Sequence, residues 1–264
     1  MKLTFLGTGD SQQVPVYGCE CKACQRARLI SSYIRRPACA LIQHDNNMIL
    51  LDAGLTDLSQ RFNPGDLNAI LLTHFDMDHI QGLFHFRRGM NDVIPVYCPP
   101  DPQSPKTLFS EPGILDFQPT VEAFKVFQAG IFNITPLPLL HNRPTYGYCV
   151  ESPSHRMAYL TDTRGLPEQS QKFLQQWQPE VLVIDCTHPP GMVNHQHHND
   201  FDEVIEIVRK IQPETTYLTH ISHAMDLFLI EHFKRLPMHI HVAVDQLTIR
   251  LENLSGNLRS KLGT

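Results

Sequence analysis

The chain has no positive charge to spare: 22 Lys and Arg stand against 27 Asp and Glu, a formal net charge of −5 with histidine neutral. A dedicated nucleic-acid binder carries a basic surplus, so no nucleic-acid partner is expected. No stretch approaches the ~20 consecutive apolar residues of a membrane-spanning helix. The opening MKLTFLGTGD holds an apolar run too short for a secretory leader. There is no low-complexity tract. Seven cysteines are present, but four of them are scattered singly at 39, 98, 149 and 186, which is no disulfide framework. These absences predict a soluble, cytoplasmic protein with no membrane partner. The GTG at residues 7–9 is too short for a dinucleotide fingerprint and is expected to form a tight turn.

Apolar content is ordinary, and 264 residues fit a single domain over 1–264. Short β-branched runs at 2–6, 48–52, 69–73, 94–98, 157–161, 180–186, 215–219, 239–243 and 246–251 predict strands. DHIQGLFHFRRGM predicts a helix with Ile80, Leu83 and Phe84 on one face. DFDEVIEIVRKI predicts another, with Val204, Ile207, Val208 and Ile211 on one face and Asp200 as its N-cap. The proline-rich segment 99–120 is expected to be a long surface loop. Strands that alternate with helices in parts and run as hairpins elsewhere imply a layered α/β fold with mixed sheets.

Histidine is abundant, at 15 residues. His44, His155 and His232 are expected at the surface, but others follow a pattern. Apolar runs end in His or Asp repeatedly: ILLTH at His74, LPLLH at His141, MAYLTD at Asp162, VLVIDCTH at Asp185 and His188, TYLTH at His220. Turns favour aspartate but not histidine, so these endings are expected to gather along one sheet edge, where α/β folds build sites. His74, Asp76, Asp78 and His79 lie within six residues at a strand end, a loop and a helix start. Singly, Asp78 reads equally well as a helix cap, His79 as a first-turn residue and His74 as a core histidine. Together they read as donors that suit divalent transition metals. Three more donors, Cys19, Cys21 and Cys24, suit a tetrahedral zinc site that lacks one ligand, with a redox pair or simple packing as the other readings. Paired arginines at 35–36 and 87–88 read as solvated faces or, less often, as contacts to a phosphate.

The run His74-x-Asp76-x-Asp78-His79 resembles the His-x-His-x-Asp-His motif of the metallo-β-lactamase superfamily. LGTG, GCECKAC, LLDAGL, DMDHIQGLF, IPVYCPPD, PGILDF, TPLPLLH, LTDTRGLPE, DCTHPP and LTHISH, spread over residues 6–223, are similar to the PhnP family of phosphoribosyl cyclic phosphodiesterases within it. The resemblance implies a four-layer αββα sandwich with two divalent cations, manganese or zinc, at the sheet edge. One cation would take His74, residue 76 and His141. The other would take Asp78, His79 and His220, with Asp162 between them. It also implies His223 as fourth ligand of a structural zinc that tethers the loop around 18–24, and His198 as the acid that protonates the leaving oxygen, with His195 and His197 as rivals. A homodimer is implied, as is opening of 5-phospho-α-D-ribose 1,2-cyclic phosphate to ribose 1,5-bisphosphate in phosphonate degradation. The substrate would be a small phosphorylated sugar or a cyclic nucleotide.

Two other functions in the superfamily's range are an RNA-processing nuclease, which the acidic balance disfavours, and a non-catalytic metal-binding factor in cofactor biosynthesis. The chain departs from the motif at Asp76, where the family has histidine. As a ligand, Asp76 would make three carboxylates rather than two face the cations and would favour harder ions such as manganese. As a second-layer residue, it would orient His74 or His141.

Overall fold

The computed structural model describes residues 1–192, 196–232 and 236–251. Two seven-stranded sheets carry the architecture. The first is built from β1 (Lys2–Gly7), β2 (Cys39–His44), β3 (Asn47–Leu51), β4 (Ala69–Leu71), β5 (Ile94–Tyr97) and β6 (Leu115–Phe117). The second uses β7 (Phe127–Ala129), β8 (Phe132–Pro138), β9 (Tyr146–Glu151), β10 (Arg156–Leu160), β11 (Val181–Asp185), β12 (Thr215–Thr219) and β13 (Ile240–Val242). β14 (Thr248–Arg250) returns to pair with β1. β3 to β6 run parallel, as do β10 to β13, and the remaining pairings are antiparallel.

The strand pleat sorts side chains into layers. In β3, Ile49 and Leu51 face the second sheet while Leu50 faces outward. In β10, Met157 and Tyr159 face inward while Ala158 and Leu160 face outward. Both faces are covered, so these strands read as continuous apolar runs rather than as alternation. The outer face of the first sheet is packed by α2 (Leu58–Arg61), α3 (Met77–Ile80), α4 (Leu83–Phe86) and α5 (Lys106–Ser110). The outer face of the second is packed by α6 (Glu168–Trp177), α7 (Phe201–Ile211) and α8 (His223–His232). The result is the αββα sandwich with mixed sheets. No helix among the described residues is long and apolar enough to cross a membrane.

Several local expectations are corrected. Residues 77–86 form two four-residue helices, and Phe84 is only partly buried whereas Phe86 is in the core. At the break Gly82 N donates to the Ala53 carbonyl at 2.8 Å, and a Cβ there would lie 2.0 Å from the Leu55 carbonyl oxygen, so glycine lets the backbone press against the loop after β3. Segment 99–120 is not a bare loop but contains α5 and β6. Strands β2, β8 and β9 and helices α1 (Lys22–Leu29), α6 and α8 appear where none was expected. Pro136 is tolerated in β8 because β7 pairs only as far as Ile134, and beyond it the proline need only accept, from Phe124 N at 2.8 Å. In α7, Asp200 caps the helix, as its sequence predicts, and the structure adds a capping box with Glu203.

Candidate metal centre

Because β3, β4, β10, β11 and β12 run in parallel groups, their C-terminal ends meet at one edge of the sandwich. Asp52, His74, Asp162, Asp185 and His220 sit at or just after those ends. Asp52, Asp162 and His220 have φ of 59°, 58° and 58°, the left-handed region that residues with a Cβ seldom adopt. Such backbone concentrates at functional sites, where the surrounding structure enforces it. The turn at Gly7–Gly9 lies against this edge: Ile221 N donates to Thr8 O at 2.8 Å.

Two donor sets form here. His74, His141 and Asp162 make one, and Asp78, His79 and His220 the other, with the donor atoms of each set within 4.8 Å of one another. Asp162 stands between them. Its Oδ1 lies 3.4 Å from His220 Nε2 and 3.9 Å from His74 Nε2, while its Oδ2 lies 3.1 Å from His79 Nε2.

Every one of the four imidazoles is held by its other nitrogen. His79 Nδ1 donates to Asp52 Oδ2 at 2.9 Å. Thr73 gives its only hydroxyl proton to Asp52, so His74 Nδ1 must donate to Thr73 Oγ1, at 2.9 Å. In the same way Thr187 donates to Asp185 and accepts from His220 Nδ1, both at 2.8 Å. His141 Nδ1 donates to the His197 carbonyl at 3.2 Å. All four Nε2 lone pairs are thereby aimed at the centre. The Nε2 atoms of His74, His79 and His220 are buried without a hydrogen-bond partner. Buried polar atoms are normally paired, so orphaned nitrogens converging on carboxylates fit a pair of divalent cations.

The local charges say the same. Burial opposes charge on His220, but Asp162 and Asp78 outweigh it and push its pKa up to about 10. Burial opposes charge on His79 too, yet Asp162, Asp52 and Asp78 raise it well above the usual imidazole value. His74, buried beside His79, is lowered. Burial works to raise Asp162, but His220, His79 and His74 hold it well below the carboxylate range. The carboxylates demand positive charge in this volume.

Asp76 also enters the centre. Its Oδ2 is 3.4 Å from His74 Nε2 and 3.3 Å from His141 Nε2, and its Oδ1 accepts from Arg143 Nη1 at 2.7 Å. His141, then His74, and Arg143 more weakly, hold its carboxyl far below the ordinary range.

His198 lies beside this cluster. Its ring stacks on His220 at 4.8 Å between centroids, and its Nδ1 donates to Asp185 Oδ2 at 2.7 Å. It also falls within reach of Asp162 and His220 as a third donor group. His197 gives its carbonyl to His141 Nδ1, the nitrogen turned away from the centre, and His195 lies outside the described residues.

Cys19, Cys21, Cys24 and His223 form a separate set, with all four donor atoms within 4.8 Å. Cys19 Sγ and Cys21 Sγ lie 3.4 and 3.6 Å from His223 Nδ1. Neighbouring donors around a tetrahedral zinc with sulfur ligands lie about 3.5–3.8 Å apart, so the set fits such an ion. It would join the N-terminal loop to the first residue of α8.

Other expectations fail. Arg35 is buried against Asp226, Thr8 and the Ala243 carbonyl, and Arg87 donates to the carbonyls of Thr107 and Glu111. Arg36 pairs with Asp57 and Arg88 with Glu111. Arg35 and Arg87 are therefore structural, neither solvated nor phosphate-facing. His155 is buried, with Nδ1 on Glu180 at 2.8 Å. The sequence reading missed Asp52 and Arg143. Asp52 ends the apolar run MILLD, the same signal as the other endings. Arg143 had none, because Asp76 and Asp101, its partners, are 67 and 42 residues away.

Comparison with known proteins agrees with this geometry. The family described as "Beta-lactamase superfamily domain" matches residues 47–221. A diphosphatase from the PhnP family is 28% identical, with a TM-score of 0.78, covering 94% of this chain and 96% of that one. An octanoyltransferase of Porphyromonas gingivalis is 27% identical over 94% of this chain and 51% of its own length. The coenzyme PQQ synthesis protein B of Methylobacterium radiotolerans is 26% identical over 52% of this chain and 46% of its own. The chain thus spans about half the length of these curated relatives. With the matched segment, the αββα sandwich and the paired donor sets together, the chain belongs to the metallo-β-lactamase superfamily, close to the PhnP family.

Proposed function

We propose that this chain is a metal-dependent phosphoric diester hydrolase of a small phosphorylated molecule. The substrate we assign is 5-phospho-α-D-ribose 1,2-cyclic phosphate, opened to ribose 1,5-bisphosphate. One observation carries the reading: four imidazoles, each tied through Nδ1, aim their Nε2 atoms at a shared volume around Asp162, and three of those nitrogens are buried without partners.

In this reading His74, Asp76 and His141 would hold one cation and Asp78, His79 and His220 the other, with Asp162 available to both. When bound, two divalent cations supply Lewis acidity toward phosphoryl oxygens and a source of nucleophile near neutral pH. The remaining work falls to the protein. His198, its Nδ1–H fixed on Asp185, keeps Nε2 for the proton that the leaving sugar oxygen requires. The extra carboxylate of Asp76 favours manganese over zinc in this centre. The cysteine set would hold a structural zinc, which would tether residues 18–24 to α8.

A diphosphate linkage is the second reading, supported by the diphosphatase relative. The similarity to a PQQ synthesis protein supports a cofactor-biosynthesis accessory role. The complete donor sets weigh against a non-catalytic role, and the net charge of −5 weighs against a large RNA substrate. The test is a turnover assay of protein loaded with Mn²⁺ or Zn²⁺. Its substrates are the 1,2-cyclic ribose phosphate, a 2′,3′-cyclic nucleotide, a nucleoside diphosphate derivative, a linear diester and a tRNA precursor. Fastest turnover of the cyclic ribose phosphate is expected. Preference for the diphosphate or the tRNA would replace the assignment, and inactivity on all five would refute it.

A further inference from the structure

Asp76 stands where related chains are expected to carry histidine, and an aspartate brings two problems to that position. It has two oxygens where the imidazole offers one nitrogen, and its side chain is short and free to turn. The structure answers both with residues distant in sequence. Arg143 Nη1 donates to Asp76 Oδ1 at 2.7 Å, which leaves Oδ2 as the oxygen that faces His74 Nε2 and His141 Nε2, at 3.4 and 3.3 Å. Neighbouring donors around an ion with bonds of 2.0–2.1 Å lie about 3.3 Å apart on a tetrahedron. Asp76 Oδ2 therefore already stands at donor spacing from both imidazoles.

Arg143 alone would be a poor neighbour for a cation, since its charge repels one. Asp101 cancels that charge. Its carboxylate is 1% exposed and takes Arg143 from the far side, with Nε to Oδ2 at 2.7 Å and Nη2 to Oδ2 at 2.6 Å. Arg143 Nη2 also reaches the Gln103 carbonyl at 3.4 Å. The guanidinium is thus engaged by Asp76, Asp101 and Gln103, which argues against a role for Arg143 as a phosphate clamp. Seen from the centre, Arg143 and Asp101 form a nearly neutral pair, so what Arg143 contributes is orientation.

We infer that Arg143 is a positioning residue that fixes Asp76 as a one-oxygen donor to the cation held by His74 and His141, with Asp101 as the counter-charge that makes this arrangement compatible with a cation. The inference rests on the two-cation reading of the centre but not on any substrate. Outer-layer partners of this kind are worth 10–100-fold in metal affinity.

The experiment is calorimetric titration with Mn²⁺ and with Zn²⁺ of protein stripped by mild chelation, with metal content measured alongside. The proteins are the unmodified chain, Arg143→Ala, Arg143→Lys, Asp76→His and Asp76→His combined with Arg143→Ala. Melting curves report whether each variant is folded. Arg143→Ala is expected to weaken one of the two binding events by roughly 10–100-fold and leave the other unchanged. Arg143→Lys, which keeps a donor and the charge, is expected to recover part of the loss. With histidine at 76 no carboxylate needs holding, so adding Arg143→Ala there should change neither affinity.

Two equal binding events in Arg143→Ala, matching the unmodified chain, would overturn the inference and leave the two-cation reading intact. An equal loss in the Asp76→His background would also overturn it, because the effect would then be a general one. Failure of the unmodified chain to take up two cations would overturn both.

Discussion

Asp185 accepts the Nδ1–H of His198 at 2.7 Å, and the same carboxylate group takes the amide of Thr187 at 3.0 Å and that of Thr163 at 3.2 Å. The last residue of β11 is therefore fixed by two backbone amides before it meets His198. A ring held in this way keeps one tautomer and one orientation. His198→Ala is expected to slow turnover by roughly 10²-fold or more while both cations remain bound. Asp185→Asn should slow turnover too, and because Asp185 also holds the Thr187 hydroxyl that carries His220, it should weaken the cation at His220 as well. Loss of metal in His198→Ala would instead make His198 a ligand.

Asp52 has the same place in the other half of the molecule. It is fully buried and accepts from Thr73 N, Thr73 Oγ1 and His79 Nδ1. In Asp52→Asn, either orientation of the amide points its NH₂ at an N–H donor, of Thr73 on one side or of His79 on the other. Leaving one such buried group unpaired costs about 1–3 kcal/mol. His79 would also be released to carry its proton on Nε2, the atom that faces the centre. Metal affinity should fall by roughly 10–100-fold, measured by titration of stripped protein, and urea unfolding should show the stability loss. Unchanged affinity would show that His79 does not depend on Asp52.

How much of this was legible follows from what each residue's neighbours are. The strand-ending histidines are visible because imidazole is unusual after an apolar run, and the parallel strands then bring them together. Asp52 was equally visible in form but reads as an ordinary turn residue before Ala53 and Gly54. Arg143 is invisible, because its role depends on contacts that only the tertiary fold makes. β8 was hidden by its prolines at 136 and 138, which local rules read as breakers. α1 was hidden by the cysteine cluster that runs into it, with Cys19 and Cys21 before the helix and Cys24 inside it, which reads as a loop. α8, with the sequence HAMDLFLIEH, has no polar stripe to mark a helix face.

The cysteine set makes a prediction independent of catalysis. Cys24 is buried, and burial pushes its thiol up to about 12, so it is protonated near neutral pH unless a cation draws the proton off. Cys24→Ser should remove one equivalent of tightly held zinc. The tether between residues 18–24 and α8 would go with it, lowering the melting temperature and speeding proteolysis of the N-terminal segment. The two cations at the sheet edge should stay. Full zinc retention in Cys24→Ser would remove this cysteine from the set.

In metal-stripped protein His220 has its pKa raised to about 10, and His79 is also raised, by the surrounding carboxylates. Unfolded, both titrate near the ordinary imidazole value of about 6.5. Groups raised on folding bind more protons in the folded state, so their contribution to stability is fully present below about pH 6.5 and is lost as pH rises toward 10. Asp76, Asp78 and Asp162 are depressed, so their contribution is present above about pH 4 and is lost on acidification. Metal-stripped protein should therefore melt highest between about pH 4 and 6.5 and lose stability steadily above that window. Bound cations replace those protons, so loaded protein should lack the alkaline decline, and metal affinity should rise with pH over the same range. Melting curves of stripped and loaded protein from pH 5 to 10 test this. Parallel curves would mean that the imidazoles of His79 and His220 are not the groups that cations displace protons from.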